Sequence, residues 1–177
     1  GLYRAMSSDG VSIQGEQVIV LGAGGVGRAV AFMCAAKGAA HVWLLNRTVE
    51  KADEVAKEVN LTEGRSCVEA LAMSDYDKLP DEKYLVIQST SVGLYPHVED
   101  AVITDPAFYH KVKAGYDLIY RPWETRFMQL VKEQGAPAYN GLKMLLYQGI
   151  EAFELWNQCK IEDESAYKLY EMLRTTV

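Results

Sequence analysis

The residues with the clearest chemical potential begin at Gly22. In Gly22-Ala23-Gly24-Gly25-Val26-Gly27, the glycines at 22, 24 and 27 follow the spacing G-x-G-x-x-G directly after the apolar run Val18-Ile19-Val20-Leu21. Each glycine has a steric task in a dinucleotide site. The first makes a tight turn, the second lets the backbone approach a pyrophosphate, and the third lets a helix pack closely on a strand. A helix starting here would aim unpaired N–H groups and a partial positive charge at phosphates. The order strand, glycines, helix is what makes the match specific, because 14 glycines in 177 residues give bare glycine patterns by chance. The competing reading is a merely tight strand–helix turn.

A second group sits where the next strand should end. Asn46-Arg47-Thr48, with Lys51 one helical turn on, stands where an acidic residue would hold the ribose 2′-hydroxyl of NAD. A guanidinium suits a 2′-phosphate instead. One hydrogen bond to a charged group is worth about 1.5–3 kcal/mol, so Arg47 would favour NADP over NAD by roughly ten- to a hundredfold. The alternative is a solvated arginine beside an N-cap threonine. Ser89-Thr90-Ser91-Val92-Gly93 follows another apolar run and would line the nicotinamide side, unless it is an ordinary hydroxyl-rich turn. Tyr120, before Arg121-Pro122, either meets a substrate or caps the core. Gly141, Leu145 and Gln148 share a helical face, and Gln148 either points an amide at the same cleft or is simply solvated.

Proton-handling chemistry is harder to find. Hydride transfer to or from an alcohol needs a group to manage the hydroxyl proton. No Asp or Lys stands at an expected carboxyl-end loop with an obvious partner. Cys34, Cys67 and Cys159 are isolated, as are His41, His97 and His110, and none has metal-ligand or C-x-x-C spacing.

The elements that must position these groups follow from pattern. Strands are expected at 17–21, 41–46, 66–71, 84–88, 117–120 and 137–139, and helices at 2–8, 25–37, 49–60 and 125–134. Val49, Ala52, Val55, Ala56 and Val59 fall on one face, so the helix over 49–60 packs on a sheet. Strand–helix alternation through residue 140 predicts a doubly wound α/β fold, Rossmann-like, with a mainly parallel six-stranded sheet. From Gly141 the pattern changes to two helices, 142–158 and 165–173, with no strand to follow. Residues 1–140 are therefore expected to form the nucleotide-binding unit, with 1–9 as a linker helix. Residues 141–177 are expected to form extra C-terminal helices.

Composition agrees with a folded soluble protein: 49% hydrophobic and 24% charged residues, with a net charge of -6. That charge argues against nucleic acid or an anionic membrane as the main partner. The scattered thiols fit a reducing cytoplasm. The opening Gly1-Leu2-Tyr3, helical from the start, reads as a chain cut from a longer protein or as a tag scar.

Taken in order, the glycine loop, Asn46-Arg47-Thr48, Ser89-Thr90-Ser91-Val92-Gly93-Leu94, Asp117-Leu118-Ile119-Tyr120-Arg121-Pro122 and Asn140-Gly141-Leu142-Lys143-Met144-Leu145-Leu146-Tyr147-Gln148-Gly149 closely resemble the C-terminal, NADP-binding part of shikimate dehydrogenases. The resemblance implies reversible NADPH-dependent reduction of 3-dehydroshikimate to shikimate, in aromatic amino-acid biosynthesis. It implies that Gly22, Ala23, Gly24, Gly25 and Val26 cradle the pyrophosphate. Asn46, Arg47, Thr48 and Lys51 would surround the 2′-phosphate. Leu118 and Gly141 would lie by the nicotinamide with Thr90, Ser91, Met144 and Leu145 nearby, and Tyr120 and Gln148 would reach shikimate. Three positions depart from the pattern: Gln88 stands where Asn is frequent, Lys143 where Gly is frequent, and Lys51 where some members have Arg.

The family's catalytic Lys–Asp pair belongs to an N-terminal domain that would precede Gly1, so no catalytic residue is expected in this chain. On this reading the chain binds NADP but does not turn over substrate. A quinate/shikimate dehydrogenase using NAD, and a non-catalytic nucleotide-binding regulatory module, are the rivals. Self-association, as a homodimer or through surface left by a missing domain, is a further expectation, centred on Tyr167, Tyr170 and Leu173.

Overall fold

The computed structural model describes residues 1–176. Its centre is a six-stranded sheet in the order β3-β2-β1-β4-β5-β6, with every neighbouring pair parallel. The strands are β1 (Gln17–Leu21), β2 (His41–Asn46), β3 (Val68–Ala72), β4 (Tyr84–Gln88), β5 (Val112–Asp117) and β6 (Ala138–Tyr139). The strand order reverses between β1 and β4, and in open α/β sheets that switch point opens a crevice at the carboxyl ends. The expected fold class is therefore the observed one.

Both faces of the sheet are covered, as parallel sheets require. Side chains alternate along each strand. Val18 and Val20 of β1 join one core with Val42, Leu44, Leu85 and Ile87, while Ile19 and Leu21 join the other with Leu45, Tyr84 and Val86. The first core is roofed by α1 (Leu2–Ser8), α2 (Gly25–Ala36) and α3 (Val49–Glu63). The expected apolar stripe of α3 is buried at Ala52, Val55, Ala56 and Val59. The second is roofed by α4 (Pro106–Tyr109) and α5 (Arg126–Glu133), which contribute Phe108, Tyr109, Phe127, Met128, Leu130 and Val131.

Three local expectations shift. The fifth strand runs over Val112–Asp117, not 117–120; Asp117 ends it, and Leu118 to Tyr120 form the loop beyond. The sequence Val-Lys-Ala-Gly-Tyr is a weak strand signal, and it pairs because Gly115 leaves room for Val131 and Phe127 of α5. A 3₁₀ turn at Met73–Lys78 and the short α4 had no helical period to announce them. Thr48 occupies the N-cap position of α3 without a capping side-chain bond, whereas Thr125 caps α5 by accepting the Met128 N–H at 3.3 Å.

Of the last two helices, α6 (Leu142–Asn157) packs on α1, and α7 (Asp163–Arg174) packs on α6. Lys143 forms an ion pair with Asp9, whose carboxylate also accepts the Tyr116 hydroxyl at 3.0 Å, and the Lys143 ammonium lies 5.4 Å from the Tyr170 ring centre. One half-buried acid thus ties the end of α1 to β5 and α6, and through Lys143 to α7. Among the described residues, no helix is long and apolar enough to cross a membrane.

Candidate functional site

The site is assembled at the carboxyl edge, where β1 and β4 lie side by side. Gly22 has φ +103, a left-handed conformation that a side chain rarely tolerates, and an added Cβ would also stand 2.7 Å from the Thr90 methyl. Its N–H donates to the Leu45 carbonyl at 2.8 Å, so the turn is anchored to β2. A Cβ on Gly27 would be driven into the Gly22 carbonyl, which is how closely α2 approaches β1. Gly24 and Gly25 are different. Both are exposed, and a Cβ on either meets nothing within 4 Å. The space ahead of the α2 N-terminus is therefore open, while its walls are tight.

Asn46 ties the glycine loop to the cationic turn. Its Oδ1 accepts the Ala23 N–H at 3.1 Å and its Nδ2 donates to the Thr48 carbonyl at 2.8 Å. Arg47, Thr48 and Lys51 are exposed. Of the acids on α3, Asp53 is engaged by Lys57 and Glu58 by Arg28, while Glu50 of the first turn is exposed. Arg47 and Lys51 make no ion pair among the described residues. This is a cationic corner held in place by an asparagine and left free to meet an anion.

Across the switch point, the Ser89 hydroxyl donates to the Leu21 carbonyl at 2.8 Å, stitching the loop after β4 to the end of β1. Thr90 and Ser91 follow on the open side. Ala23, Leu118 and Met144, from separate parts of the chain, are half-buried against the same face of the sheet. Gly141 presses on the Leu118 carbonyl, where a Cβ would clash with backbone, and its N–H donates to the Ile119 carbonyl at 2.9 Å. Tyr120 is exposed beyond β5, and Gln148 is exposed on α6 beside the start of α1. Leu145 is turned toward a groove between α6 and α7, with Leu146, Ile150, Phe153 and Leu169. Lys143 likewise points away, into its ion pair with Asp9.

Sequence reasoning missed a buried polar cluster beneath the two loops. Asp117 and Gln88 are both fully buried. The Asp117 carboxylate accepts the Ile119 N–H at 2.9 Å, the Thr125 hydroxyl at 2.5 Å and the Gln88 amide at 3.4 Å. Burial pushes the Asp117 carboxyl up to about 6, against the opposing pull of those donors. The available signal was a polar residue closing each of two strands that are otherwise apolar at their carboxyl ends. Among the described residues there is no cluster of His, Cys, Asp or Glu that could hold a metal ion.

Comparison with known proteins converges on one family. The family model described as Shikimate / quinate 5-dehydrogenase matches residues 5–104, and that of the Shikimate 5'-dehydrogenase C-terminal domain matches 141–167. A relative named shikimate dehydrogenase (NADP(+)), from Methanosarcina barkeri, is 35% identical over 156 residues, which is 88% of this chain and 55% of that protein. The chain thus spans about half the length of the curated relatives it matches. A chorismate mutase/shikimate 5-dehydrogenase fusion protein from Clostridium acetobutylicum superposes with a TM-score of 0.86 at 27% identity, over 99% of this chain and 60% of that one. A shikimate dehydrogenase solved in complex with NADP+ gives 0.79 at 27% identity, over 98% and 59%.

Proposed function

The chain belongs to the shikimate / quinate 5-dehydrogenase family, and on that premise we propose that it is the NADP-binding domain of a shikimate dehydrogenase. The single observation that carries the cofactor choice is the corner Asn46-Arg47-Thr48. Its asparagine is hydrogen-bonded to the glycine loop, and its arginine is exposed and makes no ion pair among the described residues.

The residues present fit such a group. The open space before Gly24 and Gly25, at the N-terminus of α2, suits a pyrophosphate. Arg47 and Lys51 supply charge for a 2′-phosphate, Arg47 with a planar fork and Lys51 as a point charge. Thr48 adds a hydroxyl. Leu118, Gly141 and Met144 form an apolar wall for a nicotinamide ring, with Thr90 and Ser91 beside it, and Leu145 joins the site only from its groove-facing position. When bound, the cofactor supplies a hydride for the interconversion of 3-dehydroshikimate and shikimate. Tyr120 and Gln148 are proposed to contact that substrate.

The division of labour follows from what the carboxyl edge holds. Among the described residues, the half-buried Lys143–Asp9 pair is already engaged, its acid by Tyr116 and its ammonium over Tyr170. His41 and Glu69 sit at or near the starts of β2 and β3, at the opposite edge. We therefore place the proton-handling groups in the portion of the relatives that this chain does not match. Residues 1–140 serve as the nucleotide unit, with 1–9 a linker helix, and 141–177 as the helices that turn toward that portion.

Titration calorimetry of this chain with NADP+ and with NAD+ tests the reading. Binding of NADP+ at least tenfold tighter than NAD+ is the expected result. Equal affinity, or a preference for NAD+, points instead to the NAD-dependent rival.

A further inference from the structure

We propose that Gln88 and Asp117 are positioning residues that lock the loop after β4 to the loop after β5, and so shape the nicotinamide half of the site without touching the cofactor. The inference rests on the cofactor reading above. The two side chains close adjacent parallel strands in direct register, Gln88 opposite Asp117. From that position Gln88 holds its own loop at two points: its amide donates to the Val92 carbonyl at 3.1 Å, and its Oε1 accepts the Thr90 N–H at 2.5 Å. The same amide reaches Asp117 at 3.4 Å. Asp117 in turn holds Ile119 in the loop after β5 and the Thr125 hydroxyl that caps α5.

The residues directly above this cluster are those proposed to form the nicotinamide wall. Thr90 and Ser91 belong to the first loop, Leu118 and Tyr120 to the second, and the Leu118 carbonyl sets the position of Gly141. A buried polar cluster of this kind is costly unless every member is satisfied, and an apolar pair would pack here at less expense. Its members are satisfied only when both loops adopt this one geometry. Specificity of loop placement is what the cluster provides. The adenosine half has its own anchors, through Leu45 and Asn46, and among the described residues its hydrogen bonds to the loop after β4 come only from Ser89, whose hydroxyl the cluster does not hold.

The two halves can be read separately. The probes are NADP+ and adenosine 2′,5′-bisphosphate, which lacks the nicotinamide. Gln88→Leu and Asp117→Asn are each expected to weaken NADP+ binding roughly tenfold, in line with the loss of hydrogen bonds to a charged group. Bisphosphate affinity should stay within about twofold of the parent. Gln88→Asn, which keeps the amide, should recover part of the loss.

Deuterium exchange of the ligand-free chain provides an independent arm. Either substitution should accelerate exchange in both 89–93 and 118–122, while 22–27 and 46–48 stay as in the parent. Equal weakening of both ligands, or faster exchange confined to the substituted residue's own loop, would overturn the proposal. If the parent binds neither ligand, the cofactor reading fails by itself, and the exchange arm still decides whether the loops are coupled.

Discussion

At the scale of single residues, Arg47 and Asp117 illustrate opposite kinds of legibility. Arg47 is exposed and does its proposed work by charge alone, so its type and its place after β2 were enough to read it. Arg47→Gln is expected to weaken NADP+ roughly ten- to a hundredfold and leave NAD+ unchanged, as measured by calorimetry. Asp117 matters through burial, which no local pattern announces. Its folded carboxyl is raised to about 6, above the ordinary value near 4, because burial penalises the charged form. The native state therefore binds the proton more tightly than the unfolded chain. The stability this group contributes is present below about pH 4 and is lost as pH rises through about 6. Denaturant unfolding should show that the parent loses on the order of 2–3 kcal/mol, relative to Asp117→Asn, between pH 4 and pH 7. A difference independent of pH would refute the assignment.

At the scale of elements, the glycine loop separates fold from function. Gly27 sits where α2 touches β1, and a methyl group there meets the Gly22 carbonyl. Gly27→Ala should cost about 3 kcal/mol or more, read as a fall in thermal midpoint, because backbone cannot move aside as a side chain can. Gly24 has ordinary φ and ψ and faces empty space. Gly24→Ala should leave the thermal midpoint within a degree or two and still reduce NADP+ affinity tenfold or more, by filling the space proposed for the pyrophosphate. If Gly24→Ala binds normally, the pyrophosphate lies elsewhere. The β1–α2 unit was legible because apolar run, glycines and helix stand in sequence. The strand at Val112–Asp117 was misplaced because its charged Lys113 and its Gly115 break the apolar run, and α5 packing supplies what the sequence pattern lacks.

At the scale of the whole molecule, the chain is expected to bind NADP+ yet oxidise no shikimate, since the carboxyl edge carries the proposed cofactor corner and no free acid/base pair among the described residues. Absorbance at 340 nm with shikimate and NADP+ checks this, and measurable turnover would place the proton-handling groups within this chain. The outer surface of α6 and α7 carries large apolar side chains among its charged ones, though not quite where the pattern put them. Tyr167 is exposed, but Tyr170 and Leu173 are half-buried, and Leu155, Trp156 and Met172 are the most open, at 77%, 79% and 68%. Sedimentation velocity over a concentration series should show association that replacing Leu155 and Trp156 by serine reduces. The sequence by itself determined the strand order's raw material, the glycine loop and the cationic turn, because each rests on contacts between near neighbours or on a charge left in water. Only the tertiary structure decided that Asn46 braces Ala23, that Lys143 turns to Asp9, and that Gln88 meets Asp117. Those pairs lie far apart along the chain and come together only when the parallel strands fall into register and α6 packs on α1.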